Sequence, residues 1–486
     1  MSKSIGKNIV FKFILNLFNI IIPILIGPYV YRKLGNTLNG YINFADSIYQ
    51  YFFIFASFGI YQYGIREISR VRDNKKKLES VFTSLFTITI ITNLLSTIAY
   101  VVFVNYRYSN EIFYSTCLVT TFNFLANAFY VEWVNEGLEN YDFITIKTII
   151  IRAVYTIAIF IFLNSADDYM DYLVIMVISN ILNNLFSFIY VKSKIKFRFD
   201  KIQIKKHLKP MFLVVILSNA NVLYTQLDRV MLGEFVNMQS VSYYGLAQRV
   251  VSIVSTFMLT IVHVSIPRLS NYLSKDNENE YINLLNKITS LYFIIVFPAA
   301  IGMACLSYEI VAFYGGEEFL NASAVLAVFA IYMITTAYEN ILSNQILYIR
   351  GEEKAQVKLV FTAGILNLIF NVFLLKTGYF TATTAILTTT LSNALLIIWE
   401  YLYVRYKLKL NINVFSISKM KYLFISLLFI PIIILVKNII SSMMIYTCLS
   451  ILICGILYLG ILIIIKDGTL IYLKDVIARK IKRNNN

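Results

Sequence analysis

The chain has 486 residues, 58% hydrophobic and 14% charged, with a mean hydropathy of +0.68. Soluble domains carry about 25% charged residues, so this composition excludes a soluble globular protein and points to a chain that crosses a membrane many times. Lys and Arg number 43 against 27 acids, a formal charge of +16; nucleic acid is one partner such an excess fits, but the cytoplasmic loops of membrane proteins gather the same residues without one.

The N-terminus, MSKSIGKNIVFKFILNLFNIIIPILIG, is basic and then apolar. It has no small-residue cleavage site and its apolar stretch is span-length, so it reads as an uncleaved first helix. From there, runs of about 20 mostly apolar residues recur along the chain. Fourteen spans are expected, at 10–31, 41–63, 79–104, 112–133, 143–163, 171–191, 210–232, 242–265, 283–305, 322–347, 358–376, 380–403, 421–440 and 443–465. The expected fold class is therefore all-α and polytopic. Cys117, Cys305, Cys448 and Cys454 all lie in apolar segments without a CxxC pair. They read as packing residues, not as disulfides or metal ligands.

The loops sort by charge. With the N-terminus inside, the basic loops 66–77, 192–209 and 404–421 and the tail ARKIKRNNN are cytoplasmic. The outside loops NSADDYMD (164–171), EFVNMQS (234–240) and SYEIVAFYGGEE (307–318) hold no Lys or Arg. This asymmetry predicts an even number of spans with both termini inside. It also accounts for the positive charge without nucleic acid. No connection is long enough for a soluble domain. The tail GTLIYLKDVIARKIKR puts Leu470, Leu473, Ile477 and Ile481 on one helical face, as an interfacial helix would.

Polar residues inside the spans form stripes at helical spacing, so one face of each helix avoids lipid. Span one carries Lys12, Asn16 and Asn19; span two Asn43, Asp46 and Gln50; span five Thr145, Thr148, Arg152 and Thr156. Span seven carries Ser218, Asn221, Thr225 and Asp228 with Arg229 adjacent, and span eight Arg249, Ser252, Thr256, Thr260 and His263. A charge inside a span costs about 2.5–3.5 kcal/mol on insertion scales. Asp228 and Arg229 are expected to offset it by facing a watered cavity, by neutralising one another, or by pairing across helices with Asp46 or Lys12. A buried pair that only locks helices together is the bland alternative.

Four of the five stripes fall on the first helix pair of each half of a twelve-helix unit, and LGNTLNGYINFADSI (34–48) weakly resembles LGEFVNMQSVSYYGLAQRV (232–250). The expected organisation is an N-terminal lobe at 1–209, a C-terminal lobe at 210–409, and two peripheral helices with a basic tail at 410–486. Duplicated halves around a cavity are a transporter plan. Lys12, Arg152, Arg229 and Arg249 against Asp46 and Asp228 make that cavity net positive, which suits an anionic substrate. Glu339 adds an acid on span ten, and Glu132 and Glu400 lie near the cytoplasmic ends of their spans.

Several segments carry a family resemblance in order along the chain: GPYVYRKLGNTLNGYINFADSIYQYFFIFASFGIYQYGIREISRVRD (27–73), WVNEGLENYDFITIKT (133–148), YTQLDRVMLGEF (224–235), IPRLSNY (266–272), FPAAIGM (297–303) and NQILYIRGEEK (344–354). The chain resembles the Wzx-type polysaccharide repeat-unit flippases of the multidrug/oligosaccharidyl-lipid/polysaccharide exporter superfamily. The resemblance implies two six-helix lobes plus two C-terminal helices, a bacterial inner-membrane location, and translocation of an undecaprenyl-diphosphate-linked oligosaccharide to the outer leaflet. It implies membrane lipid, a polysaccharide polymerase and chain-length machinery as partners. It assigns Lys12, Arg229 and Arg249, and with them Arg152, to the substrate cavity. No cofactor, metal or catalytic residue is expected.

Three rivals stand beside this reading. A polymerase or ligase would need a large external loop, and no GxxxxGK[ST] motif supplies an ATP motor. The acids Glu132, Glu136, Glu139 and Asp142 fit a solvated turn better than a metal or acid–base site. A cation-coupled multidrug exporter shares the fold, and a structural scaffold is opposed by the stripes.

Overall fold

The computed structural model describes residues 5–472 and 474, with side chains throughout except at 5–10, 12, 13, 16, 213 and 216–225. It is 87% helical, with no strand among the described residues. The chain forms two compact units, Met1–Gly245 with Leu375–Ala382, and Leu246–Leu374 with Thr383–Asn486.

In the first unit, α1 (Ile5–Ser57) carries the first two expected spans in one 53-residue run. Gly35 alone leaves helical geometry, at φ 69° and ψ −177°, a region glycine enters without a Cβ penalty. Phe58 and Gly59, both at positive φ, then turn the chain into α2 (Ile60–Val71). A loop was expected from residue 66. Instead, α2 buries Ile60, Tyr63, Gly64 and Ile68 and turns its charges outward; the dense charge belongs to one face of an amphipathic helix. Helix α3 (Lys75–Tyr108) starts on Asn74, whose side chain accepts the Lys77 amide.

Helix α4 (Tyr114–Ala128) has 15 residues, fewer than the expected span. Helices α5 (Glu132–Gly137), α6 (Tyr141–Phe162) and α7 (Tyr169–Lys194) follow. The acidic turn around α5 is tied in at Glu132 and stays partly solvated at Glu139. Lys147 Nζ meets Glu132 Oε1 at 2.8 Å, Arg72 Nη1 meets Glu139 Oε1 at 2.8 Å, and Tyr61 Oη donates to Glu136 Oε1 at 3.0 Å. Trp133 is fully buried against Gly64, where a Cβ would stand 2.6 Å from the indole. Between α6 and α7, Asp168 Oδ2 accepts the amides of Asn164 and Ser165 at 2.8 and 2.9 Å. Those bonds hold its carboxyl below the usual carboxylate range. Helices α8 (Ile204–Thr225), α9 (Leu227–Phe235) and the start of α10 (Met238–Ser274) complete the unit.

The second unit continues α10 and adds α11 (Glu278–Cys305), α12 (Ser307–Gly315) and α13 (Ala322–Asn340), which runs into a π-helical segment, Ile341–Leu347. Helices α14 (Glu353–Thr377) and α15 (Ala382–Leu402) are separated at Gly378, φ 78°, where the expected break near 376–383 falls, within the stretch Leu375–Ala382 that belongs to the first unit. Helices α16 (Ile417–Leu427) and α17 (Phe429–Ile439) divide one expected span. Pro431 lacks an amide and its ring would clash with the carbonyl four residues back, where α16 ends. Helix α18 (Met443–Ile464) closes the bundle. Leu470 packs on this unit's core, and the rest of the expected interfacial face, from Leu473 on, lies outside the described residues.

Eleven helical stretches among the described residues are long and apolar enough to cross a membrane. The fourteen expected spans each find helix. Two of them merge in the stretch Leu17–Val71, and those at α4 and at α8–α9 are not among the eleven. Large apolar side chains such as Leu94, Leu95 and Val102 on α3 and Leu452, Ile456 and Ile463 on α18 are exposed, as a lipid solvent requires.

Candidate functional site

The site is set by how closely α9 rests on α1 within the first unit. Gly233 lies on α9 directly over Phe44, which is fully buried; a Cβ on Gly233 would stand 2.2 Å from the ring. One helical turn before Gly233 is Arg229, and two residues beyond Phe44 is Asp46. The close approach brings the two together, with Arg229 Nη1 at 3.3 Å from Asp46 Oδ2. The Arg229 side chain is 11% exposed and that of Asp46 47%. Gln50, one turn along α1, donates to Asp46 Oδ1 at 3.3 Å. Asp228 is fully buried and accepts the Tyr244 hydroxyl at 2.7 Å. Each member of the Asp228–Arg229 dipeptide thus has a partner on another helix, as the geometry of adjacent helical residues favours.

Asp46 also forms part of the wall of a cavity of about 520 Å³. Helix α1 contributes Asp46, Tyr49 and Gln50, and α2 contributes Tyr61. The far side is amide: Asn123 and Asn127 from α4, and Asn180, Asn183 and Asn184 from α7. Asn180 Nδ2 donates to Asn123 Oδ1 at 3.0 Å, and Asn184 Nδ2 to the Ala126 carbonyl at 2.8 Å. Asn127 Nδ2 reaches Asn93 Oδ1 at 3.1 Å. Among the described lining residues Asp46 is the one acid, and no Lys or Arg is present.

Of the residues singled out in the sequence, Asp46 and Arg229 are brought into contact, with Asp228 beside them. Arg152 is half-buried on α6 of the same unit. Arg249 is exposed on α10 and belongs to the second unit. The Lys12 side chain lies outside the described residues. The amides of α4 and α7 were not anticipated, although Asn123/Asn127 and Asn180/Asn184 recur at i, i+4. In the second unit Glu339 and Glu400 are both buried; Asn393 Nδ2 donates to Glu339 Oε2 at 2.7 Å and Ser343 Oγ to Glu400 Oε1 at 2.6 Å.

A multi-pass helical bundle that keeps a polar chamber inside one of its units has the architecture of a membrane transporter. The chain belongs to the polysaccharide biosynthesis protein family, which it matches over residues 5–273. It is 22% identical over 375 residues to the Escherichia coli K12 protein named "Putative O-antigen transporter", covering 75% of this chain and 89% of that one. It is 27% identical over 161 residues to the Haloferax volcanii "Probable low-salt glycan biosynthesis flippase Agl15", a third of each chain at 33% and 34%. Among solved structures, the lipid II flippase MurJ in an inward closed conformation superposes with a TM-score of 0.72 at 17% identity, covering 97% of this chain and 99% of that one. An inward-facing MATE-family multidrug transporter of the MOP superfamily gives 0.68 at 11% identity, covering 81% and 94%. The family resemblance carried by the sequence motifs is borne out, and the named relatives are transporters and flippases rather than enzymes.

Proposed function

We propose that this protein flips undecaprenyl-diphosphate-linked oligosaccharide repeat units from the cytoplasmic to the outer leaflet, for assembly of a surface polysaccharide. The observation that carries the reading is Arg229, held against Asp46 at the wall of a polar cavity in a lipid-embedded bundle. Family membership points the same way. A guanidinium offers forked donors to phosphate oxygens, and Asp46 holds it neutralised until a diphosphate replaces the carboxylate. The polyprenyl tail stays in lipid while the head crosses. Lys12, Arg152 and Arg249 enter as further cations along the path. The lobes read from the sequence, 1–209 and 210–409 with 410–486 peripheral, supply the alternation of access in this proposal, although the compact units divide at Gly245/Leu246 instead. Outward movement of an anion gains about 2.3 kcal/mol per charge per 100 mV of inside-negative potential. A cationic drug finds poorer chemistry here, since Asp46, the one carboxylate among the described lining residues, already faces Arg229.

Two measurements test this. Deleting the gene should cause lipid-linked repeat units to accumulate, detected by mass spectrometry of extracted lipids, and re-expression should clear them. Unchanged lipid-linked sugar pools would defeat the proposal. Reporters fused within 192–209 and after residue 486 should read cytoplasmic, and one within 164–171 external. An external reading at residue 486 would reverse the orientation drawn from the basic loops.

A further inference from the structure

We propose that the amide-lined cavity of the first unit is a subsite for the first neutral sugars of the lipid-linked glycan, distinct from the cationic contact to its diphosphate. The inference rests on the flippase reading and adds a division of labour within the head group.

The lining chemistry selects the ligand. Asparagine in a membrane helix is costly and is retained where it serves a purpose, and here five asparagines from two helices converge on one chamber. A side-chain amide both donates and accepts hydrogen bonds, as does a sugar hydroxyl. Phosphate would need cations, and none lines the chamber among the described residues. A metal ion or cationic ligand would need uncompensated carboxylates, but Asp46, the one acid among the described lining residues, is engaged by Arg229 and Gln50. Tyr49, Phe53, Tyr61 and Tyr130 supply apolar ring surface in the same wall. They suit the C–H face of a pyranose, since an aromatic ring offers a large apolar area with a polar handle. The volume, about 520 Å³, falls within the range of about 300–1,000 Å³ of small-molecule sites and admits roughly one or two sugar rings, not a long glycan.

Connectivity points the same way. In a polyprenyl-diphosphate glycan the first sugar is bonded directly to the diphosphate. Asp46 is shared, one oxygen facing Arg229 and its side chain forming part of the chamber wall. A diphosphate that displaces Asp46 from Arg229 therefore delivers its attached sugar to the mouth of the amide chamber.

The test uses the full-length protein in detergent and native mass spectrometry of lipid adducts. The probes are undecaprenyl diphosphate without sugar and the same lipid carrying glucose, galactose or N-acetylglucosamine. Wild type should bind at least one sugar-bearing lipid about tenfold more tightly than the bare one, a difference of about 1.4 kcal/mol. Asn180→Leu and Tyr61→Leu alter exposed side chains on two different walls. Each should reduce that preference to below about twofold. Preference kept in both variants, or affinity for bare and sugar-bearing lipids lost in parallel, would overturn the subsite while leaving the flippase reading intact. No sugar preference in wild type would overturn it as well. Wild type that binds none of the four lipids would overturn the flippase reading and the subsite together.

Discussion

Replacing Arg229 with Ala is expected to lower transport of lipid-linked repeat units by about tenfold or more per folded molecule. The variant removes the forked donor that faces Asp46 in the chamber wall and leaves Asp46 with the Gln50 amide. Breaking a fully buried ion pair costs about 3–5 kcal/mol. Asp46 is half-exposed, so solvent screens much of that and the loss of stability should be nearer about 1 kcal/mol. Abundance should therefore fall little while transport falls steeply. Arg229→Lys keeps the charge without the fork and should give an intermediate rate. The decisive comparison is the double variant Asp46→Asn, Arg229→Ala. If the pair only holds α1 and α9 together, removing both charges relieves the imbalance and transport returns. If Arg229 grips phosphate, the double variant is stable and still inactive. Transport per folded molecule, with abundance measured on the same membranes, separates these outcomes.

Gly233→Leu should have the largest effect on folding. Its Cβ would stand 2.2 Å from a ring carbon of Phe44, and Phe44 has no exposed surface into which to withdraw. Overpacking of this kind costs about 1–3 kcal/mol and occasionally more, and here the contact joins two helices that also carry Asp46 and Arg229. The expected result is a sharp loss of folded protein by fluorescence-detected size-exclusion chromatography. A compensating Phe44→Ala should recover part of it. Near-normal yield of Gly233→Leu alone would show that α9 can stand away from α1 without cost.

The helices were legible because a chain dissolved in lipid must satisfy its backbone internally, so each span is both apolar and helical. What escaped the sequence were places where charge was equated with loop. Helix α2 hides behind Arg66, Arg70 and Arg72, although Ile60, Tyr63, Gly64 and Ile68 already trace its buried face. The α1 bend was legible only as a gap between two spans, since a single glycine makes it. At the site, Asp46 and Arg229 stood out as charges on striped helices. A cross-helix partner in Asp46 or Lys12 was among the alternatives the sequence left open; which of them it is was not legible, because the contact spans 183 positions and depends on the close approach at Gly233. The hydroxyls of the stripes were weaker signals than they looked. Ser252 donates to the Arg249 carbonyl, Thr256 to Ser252 and Thr156 to Arg152, so each is satisfied by its own helix. Asparagine amides have more to satisfy than one such bond can supply. The pairs Asn123/Asn127 and Asn180/Asn184 were therefore the more telling pattern, in two spans where no stripe was drawn.

Because α1 leaves helical geometry at Gly35 alone, any tilt between its two halves is taken up by the torsions of one residue. The bend is in mechanical terms a pivot, with a proline-free helical lever beyond it and a lever containing Pro23 and Pro28 before it. Asp46 lies eleven residues along the second lever, about 16 Å from the pivot. A swing of roughly 10° at that radius carries it sideways by about 3 Å. That displacement is comparable to the 3.3 Å now separating Asp46 from Arg229, so on the proposed flippase reading a small rotation at one glycine, with α9 held in place rather than carried along by Phe44, would free the guanidinium for a phosphate.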